Sequence, residues 1–219
     1  MALQDIVIIG SGGLARQIVG LVEDINDNRA TYNLLGFISK DPQDEIDGVP
    51  VLGDDDRLAS LRAGYVLGVE DPALRRLLAA RAEDNGLNPV SLVHPTARVD
   101  RRSRPGPGAV IFEGANVVYG ARTGWHIIMN LGSIASHDCV IGDFVELTSN
   151  ATVGARVQVG DDVMMGMSSV ILNDLSVGSG ATIGAGAVVT RNVEPGECVV
   201  GVPARPLRKA ARQGGSDDR

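Results

Sequence analysis

The sequence predicts an α/β protein in two parts, a small N-terminal domain built on a parallel sheet and a C-terminal parallel β-helix. Three observations carry this. Over residues 93–193 a small or aliphatic residue returns at every sixth position, in one phase that runs from Ile111 and Val117 through Met129, Ala135, Ile141 and Leu147 to Val189, with Pro105 and Thr123 the clear interruptions. Glycine follows that residue directly at Gly142, Gly154, Gly160, Gly166, Gly178 and Gly184. Ahead of this array, short apolar runs alternate with helical patterns, the mark of βαβ connections. A period of six fits neither an amphipathic helix nor a hairpin meander, but it suits a β-helix in which each hexad is one short strand and a turn. The aliphatic residue then points inward, and the glycine is expected to relieve the bend of the corner.

Taken in order, Ile6 to Ile9 reads as a buried strand, and Gly10, Ser11, Gly12 and Gly13 as a tight turn into a helix. Leu14, Ile18, Leu21, Val22 and Ile25 lie at helical spacing, so one face of that helix packs on the sheet. Leu34 to Ile38 is a second strand, followed by the polar stretch from Ser39 to Asp47 and a turn from Gly48 to Gly53. Tyr65 to Val69, with Gly68 near its end, is a third. Asp71 caps a second helix with Pro72 at its first position, and Gly86 stops it. Val90 to Val93 leads into the array. Residues 1–92 thus read as a Rossmann-like βαβ domain, 93–205 as the β-helix, and 206–219 as a C-terminal segment whose glycine-rich, charged end is expected to be disordered.

A net charge of −7, spread along 219 residues, speaks against a nucleic-acid partner. No apolar run reaches membrane-spanning length and no charged-then-apolar leader opens the chain, so a soluble cytoplasmic protein is expected. Cys139 and Cys198 are too few for a disulfide framework and lack metal-ligand spacing. Cys139, two residues before the inward Ile141, reads as a buried structural thiol. A core stacked from methyl groups leaves little space for rings, in keeping with an aromatic content of 3%.

Gly10, Gly12 and Ala15 satisfy the G-x-G-x-x-A form of a fingerprint in which bare amides at a helix start meet phosphate oxygens. The acidic residue that grips a ribose in dinucleotide folds is missing, since Ser39 and Lys40 stand at the end of the second strand. The diphosphate of a nucleotide-linked sugar uses the same glycine physics, with Lys40 as a point charge. A turn that merely joins strand to helix is the third reading.

The array resembles the hexapeptide-repeat acyltransferases, whose fold is a left-handed parallel β-helix with three hexads per coil. That resemblance implies that positions 18 apart stack, so that Val117, Ala135, Val153, Ile171 and Val189 form one column. The whole chain from Ile6 to about Leu207 is similar to the sialic acid O-acetyltransferase and sugar N-acyltransferase family. The likeness rests on the glycine turn, Gly36-Phe37-Ile38, the stretch Gly48 to Gly53, His94-Pro95 opening the array, and the closing stretch Gly201 to Pro206. It implies an acetyl-CoA-dependent N-acetyltransferase acting on the amino group of a UDP- or dTDP-linked amino sugar, and a homotrimer with active sites between subunits. O-acetylation of a sugar hydroxyl is the alternative activity, and a non-catalytic scaffold or binding protein the alternative class.

The same resemblance distributes the roles. His137 is the general base, Asp138 orients it, and Asn130 lies close by. An amine attacking a thioester must lose a proton, and a neutral imidazole can take it. Acetyl-CoA is expected in the groove between adjacent β-helices, held through Gly154, Ala155, Met167 and Ala185, with Glu146 beside the acyl group and Arg191, Arg205, Arg208 and Lys209 near the phosphates. Gly10, Ser11, Gly12, Gly13, Ser39, Lys40 and Gly68 are expected to hold the sugar nucleotide. No metal is expected.

Two departures from the family stand out. Nine residues after His137 the family usually has a histidine, where this chain has Glu146, a group that donates no hydrogen bond unless protonated. Trp125 and His126 also replace small or polar residues, and either shape a sugar pocket or pack against a neighbour. The γ-class carbonic anhydrases share the β-helix and bind zinc through three histidines; His94, His126 and His137 occupy different places in the hexad, which would aim them at different faces.

Overall fold

The computed structural model describes residues 2–40 and 43–207. The N-terminal domain is a parallel sheet of strands β1 (Gln4–Ile9), β2 (Tyr32–Ile38), β5 (Gly64–Leu67) and β6 (Asn88–Pro89), in the order β2-β1-β5-β6. Helix α1 (Gly13–Asn28) buries Leu14, Ala15, Ile18, Leu21 and Val22, the stripe its spacing prescribes. Helix α2 (Pro72–Asp84) starts at Asp71, whose carboxylate accepts from Leu74 N, and Gly86 follows it with φ +80°. Between β2 and β5 the chain forms a small hairpin of β3 (Glu45–Ile46) and β4 (Val49–Pro50) and a 3-10 turn over Asp55–Ser60. The sequence suggested only a loop and a turn there, because two-residue strands carry no periodicity.

From Leu92 onward the chain is a three-sided parallel β-solenoid of about six coils, consistent with the left-handed β-helix expected. Face one stacks Leu92–Val93, Val110–Ile111, Ile128–Met129, Glu146–Leu147, Met164–Met165, Thr182–Ile183 and Cys198–Val200, and ends with the antiparallel Arg205–Pro206. Face two runs from Arg98–Val99 to Val188–Val189, and face three from Arg122–Thr123 to Ser176–Val177. Partners are 18 apart, as in Val117↔Ala135 and Ala135↔Val153. The phase read from the sequence is the inward one. A second inward column of smaller residues, Ala109, Ala115, Ala121, Cys139, Val145 and Ala151 among them, completes the core. Cys139 is fully buried in it, and that burial pushes its thiol up to about 12.

The glycines after the inward residues act differently from expectation. Their backbone is not left-handed; the positive φ falls two residues later, at Phe144 (56°), Arg156 (57°) and Asp162 (58°). What those glycines allow is close stacking: a Cβ on Gly154 would sit 2.6 Å from the Ile171 carbonyl oxygen of the next coil. The next position is held by an Asx ladder, in which Asp143, Asp161 and Asn173 accept from the N–H of Trp125, Asp143 and Ala155, each at 2.8 Å.

The two parts share a core. Val110, Phe112 and Ile128 on face one join Ile6, Ile8, Leu14, Ile18 and Phe37 in one buried cluster. At roughly 1.5–3 kcal/mol for each large apolar side chain removed from water, this contact alone fixes the N-terminal domain on face one. The domain therefore covers the first coils of face one, while the later coils stay exposed, with Met164 at 40% and Met167 at 60%. The corner between faces two and three lies away from the domain and is open.

Candidate active site

Residues 136–139 turn the chain from face two to face three at that open corner. Asp138 is left-handed there, φ 59°, and its N–H donates to Tyr119 O in the coil below at 3.0 Å. From the coil above, Arg156 N–H donates to His137 O at 3.1 Å. The backbone of the pair is thus tied on both sides. His137 Nδ1 lies 2.9 Å from Asp138 Oδ2. With that N–H given to the carboxylate, Nε2 carries the lone pair and is the atom able to accept a proton. Both side chains are about half exposed, at 48% and 51%, so the pair is open to solvent.

Ala155 stands directly above His137 in the same column, one coil on. Its N–H is already bonded to Asn173 Oδ1, and its carbonyl accepts from Asp174 N at 3.0 Å. Met167 and Ala185 lie elsewhere, stacked one coil apart at the corner between faces one and two. Both are exposed, and neither N–H has a partner among the described residues. Those two amides are therefore available as hydrogen-bond donors among the described residues. Asn130 shares that corner and turns its Oδ1 back on Leu131 N at 2.8 Å. Within one chain the predicted residues therefore form two groups separated by a full face. Six extended residues reach about 20 Å, too far for side-chain contact.

The glycine turn forms a hollow of about 290 Å³ lined by Gly12, Gly13, Leu14, Gly68, Val69 and Glu70. Gly12 is the N-cap of α1 and has no side chain to cap it, so the first N–H groups of the helix open into the hollow. Gly10, φ +110°, packs against the Gly68 carbonyl, where a Cβ would come within 2.8 Å. Ser11 and Ser39 are joined through their hydroxyls at 2.8 Å, which brings the end of β2 to the same place. Lys40 follows Ser39 and is exposed. Gly10, Ser11, Gly12, Gly13, Ser39 and Gly68, the glycine-turn residues singled out from the sequence, thus lie close together.

Glu146, expected beside the acyl group, is separate from both groups. It lies on face one, 6% exposed, under the N-terminal domain. Facing it is Arg75, a wholly buried arginine that sequence reasoning missed because charged residues in a helix usually mark its solvent face. Arg75 Nη2 donates to the Phe144 carbonyl, while its Nε and Nη1 have no partner. Burial raises the Glu146 carboxyl, Arg75 pulls it back down, and Glu70 pushes it up again.

Trp125 and His126 sit at the corner between faces three and one, against α2, in a cleft that also includes Arg76, Glu83, Asp143 and Phe144. The cleft is distinct from the glycine hollow. His126 is 3% exposed and lies between Tyr65 and Phe144, with ring centroids 5.7 and 5.1 Å away. Its Nε2 meets Tyr65 Oη at 3.2 Å, and that hydroxyl bonds Glu83 at 3.0 Å. Burial first, then Arg75, lowers its pKa to about 4. His94 bonds Thr96 and Asp24 at 2.8 and 3.3 Å. The three histidines thus occupy three different corners and cannot converge on one ion. Among the described residues no group of three His, Cys, Asp or Glu is placed to hold a metal. Arg191 and Arg205 are exposed, and Arg208, Lys209 and the rest of the C-terminal segment from 208 lie outside the described residues. Among the described residues no helix is long and apolar enough to cross a membrane.

Residues 5–82 match the PglD N-terminal domain, and residues 156–191 match the bacterial transferase hexapeptide of six repeats. The acetyltransferase domain of PglB from Neisseria gonorrhoeae, solved in complex with acetyl coenzyme A, is 27% identical with a TM-score of 0.87, over 94% of this chain and 100% of that one. A histidine-to-asparagine variant of perosamine N-acetyltransferase from Caulobacter crescentus, in complex with CoA and GDP-perosamine, is 28% identical with a TM-score of 0.89, over 95% and 99%. A curated relative, GDP-perosamine N-acetyltransferase from Escherichia coli, is 26% identical over 111 residues, 51% of this chain and 50% of that protein. The chain thus spans about half the length of that curated relative. In its PglD-type N-terminal domain, its hexapeptide solenoid and its full-length structural neighbours, the chain is thus similar to sugar N-acetyltransferases of the hexapeptide-repeat acyltransferase family.

Proposed function

We infer that the protein transfers an acetyl group from acetyl-CoA to the amino group of a nucleotide-linked amino sugar. The observation that carries this reading is the His137–Asp138 pair, half exposed at the open corner, on a chain that also carries an uncapped helix start in a glycine hollow. The sugar nucleotide's diphosphate meets the N–H groups at Gly12 and Gly13. The sugar nitrogen attacks the thioester carbonyl, a C–N bond forms and the C–S bond breaks. His137 Nε2 takes the proton that nitrogen loses and returns it to the departing thiolate. Asp138 orients the ring and stabilises its protonated form.

The proposal requires a homotrimer. The hollow lies in a domain docked on face one, whereas His137 lies at the opposite corner of the same prism. Parallel prisms around a threefold axis bring the His137 and Ala155 corner of one chain against the Asn130, Met167 and Ala185 corner of the next. Exposed apolar residues on both sides support this, with Tyr119 and Leu172 at 52% and 47% near the first corner and Leu131 and Met167 at 47% and 60% near the second. The coenzyme then lies between chains, with the Met167 and Ala185 amides as its donors. The nucleotide is UDP or dTDP by the resemblance read from the sequence, and GDP by the names of the relatives.

The test is mass spectrometry of products from UDP-, dTDP- and GDP-linked amino sugars with acetyl-CoA, beside sedimentation. One acetylated product and a trimer are expected. A fully active monomer would overturn the site between chains.

A further inference from the structure

At the corner between faces two and three, the left-handed position recurs once per coil as Gly120, Asp138, Arg156 and Asp174, with φ 71°, 59°, 57° and 64°. Three successive turns there close in the same way. Asp138 N–H donates to Tyr119 O, Arg156 N–H to His137 O and Asp174 N–H to Ala155 O, at 3.0, 3.1 and 3.0 Å. Arg156 therefore stands between two carboxylates, one coil below it and one coil above, each about 4.8 Å away along the stack. Its fork goes to the upper one: Nε and Nη2 donate to Asp174 Oδ1 and Oδ2 at 2.6 and 2.7 Å.

What distinguishes the two carboxylates is the residue before each. Asn173 turns its Oδ1 back to Ala155 N at 2.8 Å, which leaves both oxygens of Asp174 to the guanidinium. His137 instead engages Asp138 Oδ2 at 2.9 Å, and the other oxygen points to the coil below, where a Cβ on Gly120 would come within 2.5 Å of it. The Arg156–Asp174 side chains are 50% and 62% exposed, so water screens the pair and it adds little to stability. Its electrical neighbourhood is that of the base. The bonds from Arg156 hold the Asp174 carboxyl below the usual carboxylate range, and the charge of His137 adds to this. Those same bonds raise the Arg156 guanidinium, which also feels Asp138. From the coil below, Tyr119 faces the pair, with Arg102 over its ring at 5.3 Å.

We propose that Asp174 is a positioning residue for the base: it holds the Arg156 guanidinium one coil above the His137–Asp138 pair, and in its absence Arg156 forks Asp138 instead. This rests on the general-base role inferred above for His137. A planar guanidinium matches any carboxylate within reach, and the register puts Asp138 as near as Asp174. Capture of Asp138 would release the Nδ1–H of the imidazole and loosen the ring. It would also leave the imidazolium that forms on proton transfer without its counter-charge.

The experiment measures kcat and KM against pH on the full chain, with acetyl-CoA and a nucleotide-linked amino sugar that the wild type acetylates. Asp174→Asn keeps the shape and removes the charge that holds the fork. It is expected to lower kcat by about threefold to tenfold, a part of the hundredfold or more that a general base supplies. KM for both substrates should stay within about twofold. The acid limb of the kcat profile should move to lower pH, because the protonated ring has lost a neighbouring anion. Combining Asp174→Asn with Arg156→Gln should restore both the rate and the limb, since no guanidinium remains to take Asp138. A wild-type rate and profile in Asp174→Asn overturns the proposal. So does a loss that is equal at every pH, the mark of a merely structural role, or one that Arg156→Gln does not relieve. If His137→Ala is as active as the wild type, the general-base reading itself fails, which is a different result from a His137-dependent enzyme indifferent to Asp174.

Discussion

His126 and His137 sit eleven residues apart, each at a corner of the same prism, and the two corners use the same left-handed turn: φ is 53° at His126 and 59° at Asp138. Their fates are opposite. His126 is sealed beneath α2 between Tyr65 and Phe144, and burial and Arg75 keep it neutral. His137 faces out, and among the described residues its ring bonds its neighbour Asp138. The solenoid supplies equivalent corners, and the docked domain decides which becomes a joint and which stays open to chemistry.

Exchange of their roles is the first way to break the comparison. His137→Ala should lower turnover by about two to four powers of ten, the usual share of a general base, with coenzyme affinity little changed. Asp138→Asn should cost less, since it disturbs only the orientation and basicity of the ring. Single-turnover assays against coenzyme binding separate these. A near-normal rate in His137→Ala would show that the amine finds its base elsewhere.

His126 should show itself in stability instead. A histidine held at about 4 in the fold and near 6.5 when unfolded binds more protons unfolded between those values. The stability it contributes is complete above pH 6.5 and is lost as pH falls through that window, by at most about 1.4 kcal/mol per unit. Urea melts from pH 7 to 4 should lose stability steeply in the wild type and less so in His126→Gln. Equal slopes would mean that other groups govern the acid transition. The groups facing this ring are Arg75, Asp143, Tyr65 and Glu83.

Much of this was legible in the sequence. The inward column and the glycine turn follow from local spacing, while the 18-residue stacking and the pairing of His137 with Asp138 came from the family resemblance; in a solenoid, sequence period and spatial neighbour are the same thing. What spacing could not give was the contact between distant parts. Arg75 drew no notice in the sequence, Trp125 and His126 looked like an oddity, and nothing in the spacing of Glu146 showed that it would be buried under the N-terminal domain. Each is explained by the docking of α2 on the prism, a relation between residues 69 or more positions apart in the case of Arg75 and Phe144. The availability of the Met167 amide against that of Ala155 was likewise invisible, since it depends on whether an Asx side chain lies one coil above.

A smaller effect probes the hollow. Gly12 has φ −75°, and a Cβ there would meet nothing within 4 Å. Gly12→Val should therefore fold normally while placing its methyl groups where the diphosphate belongs. Sugar-nucleotide affinity should fall about tenfold or more, roughly 1.4 kcal/mol, with coenzyme binding unchanged. Equal loss of both ligands in calorimetry would contradict the division of labour between the two parts of the chain.

The smallest effect comes from the neighbour of Arg75. Arg76 also bridges α2 to the prism, bonding Asp162 at 3.0 Å and lying over the Phe144 ring at 4.3 Å, but its side chain is 46% exposed and that of Asp162 is 36% exposed. Water screens such a pair, and ordering two side chains offsets part of the gain, so Arg76→Ala should cost less than about 1 kcal/mol in urea melts. Added salt should shrink that difference further. Arg75 makes fewer bonds yet lies wholly inside, and there salt should leave the cost of substitution nearly unchanged. If the two variants proved equally destabilising and equally salt-sensitive, the α2 contact would be a surface patch of charges rather than a buried joint, and the distinction drawn between the two histidine corners would lose its physical basis.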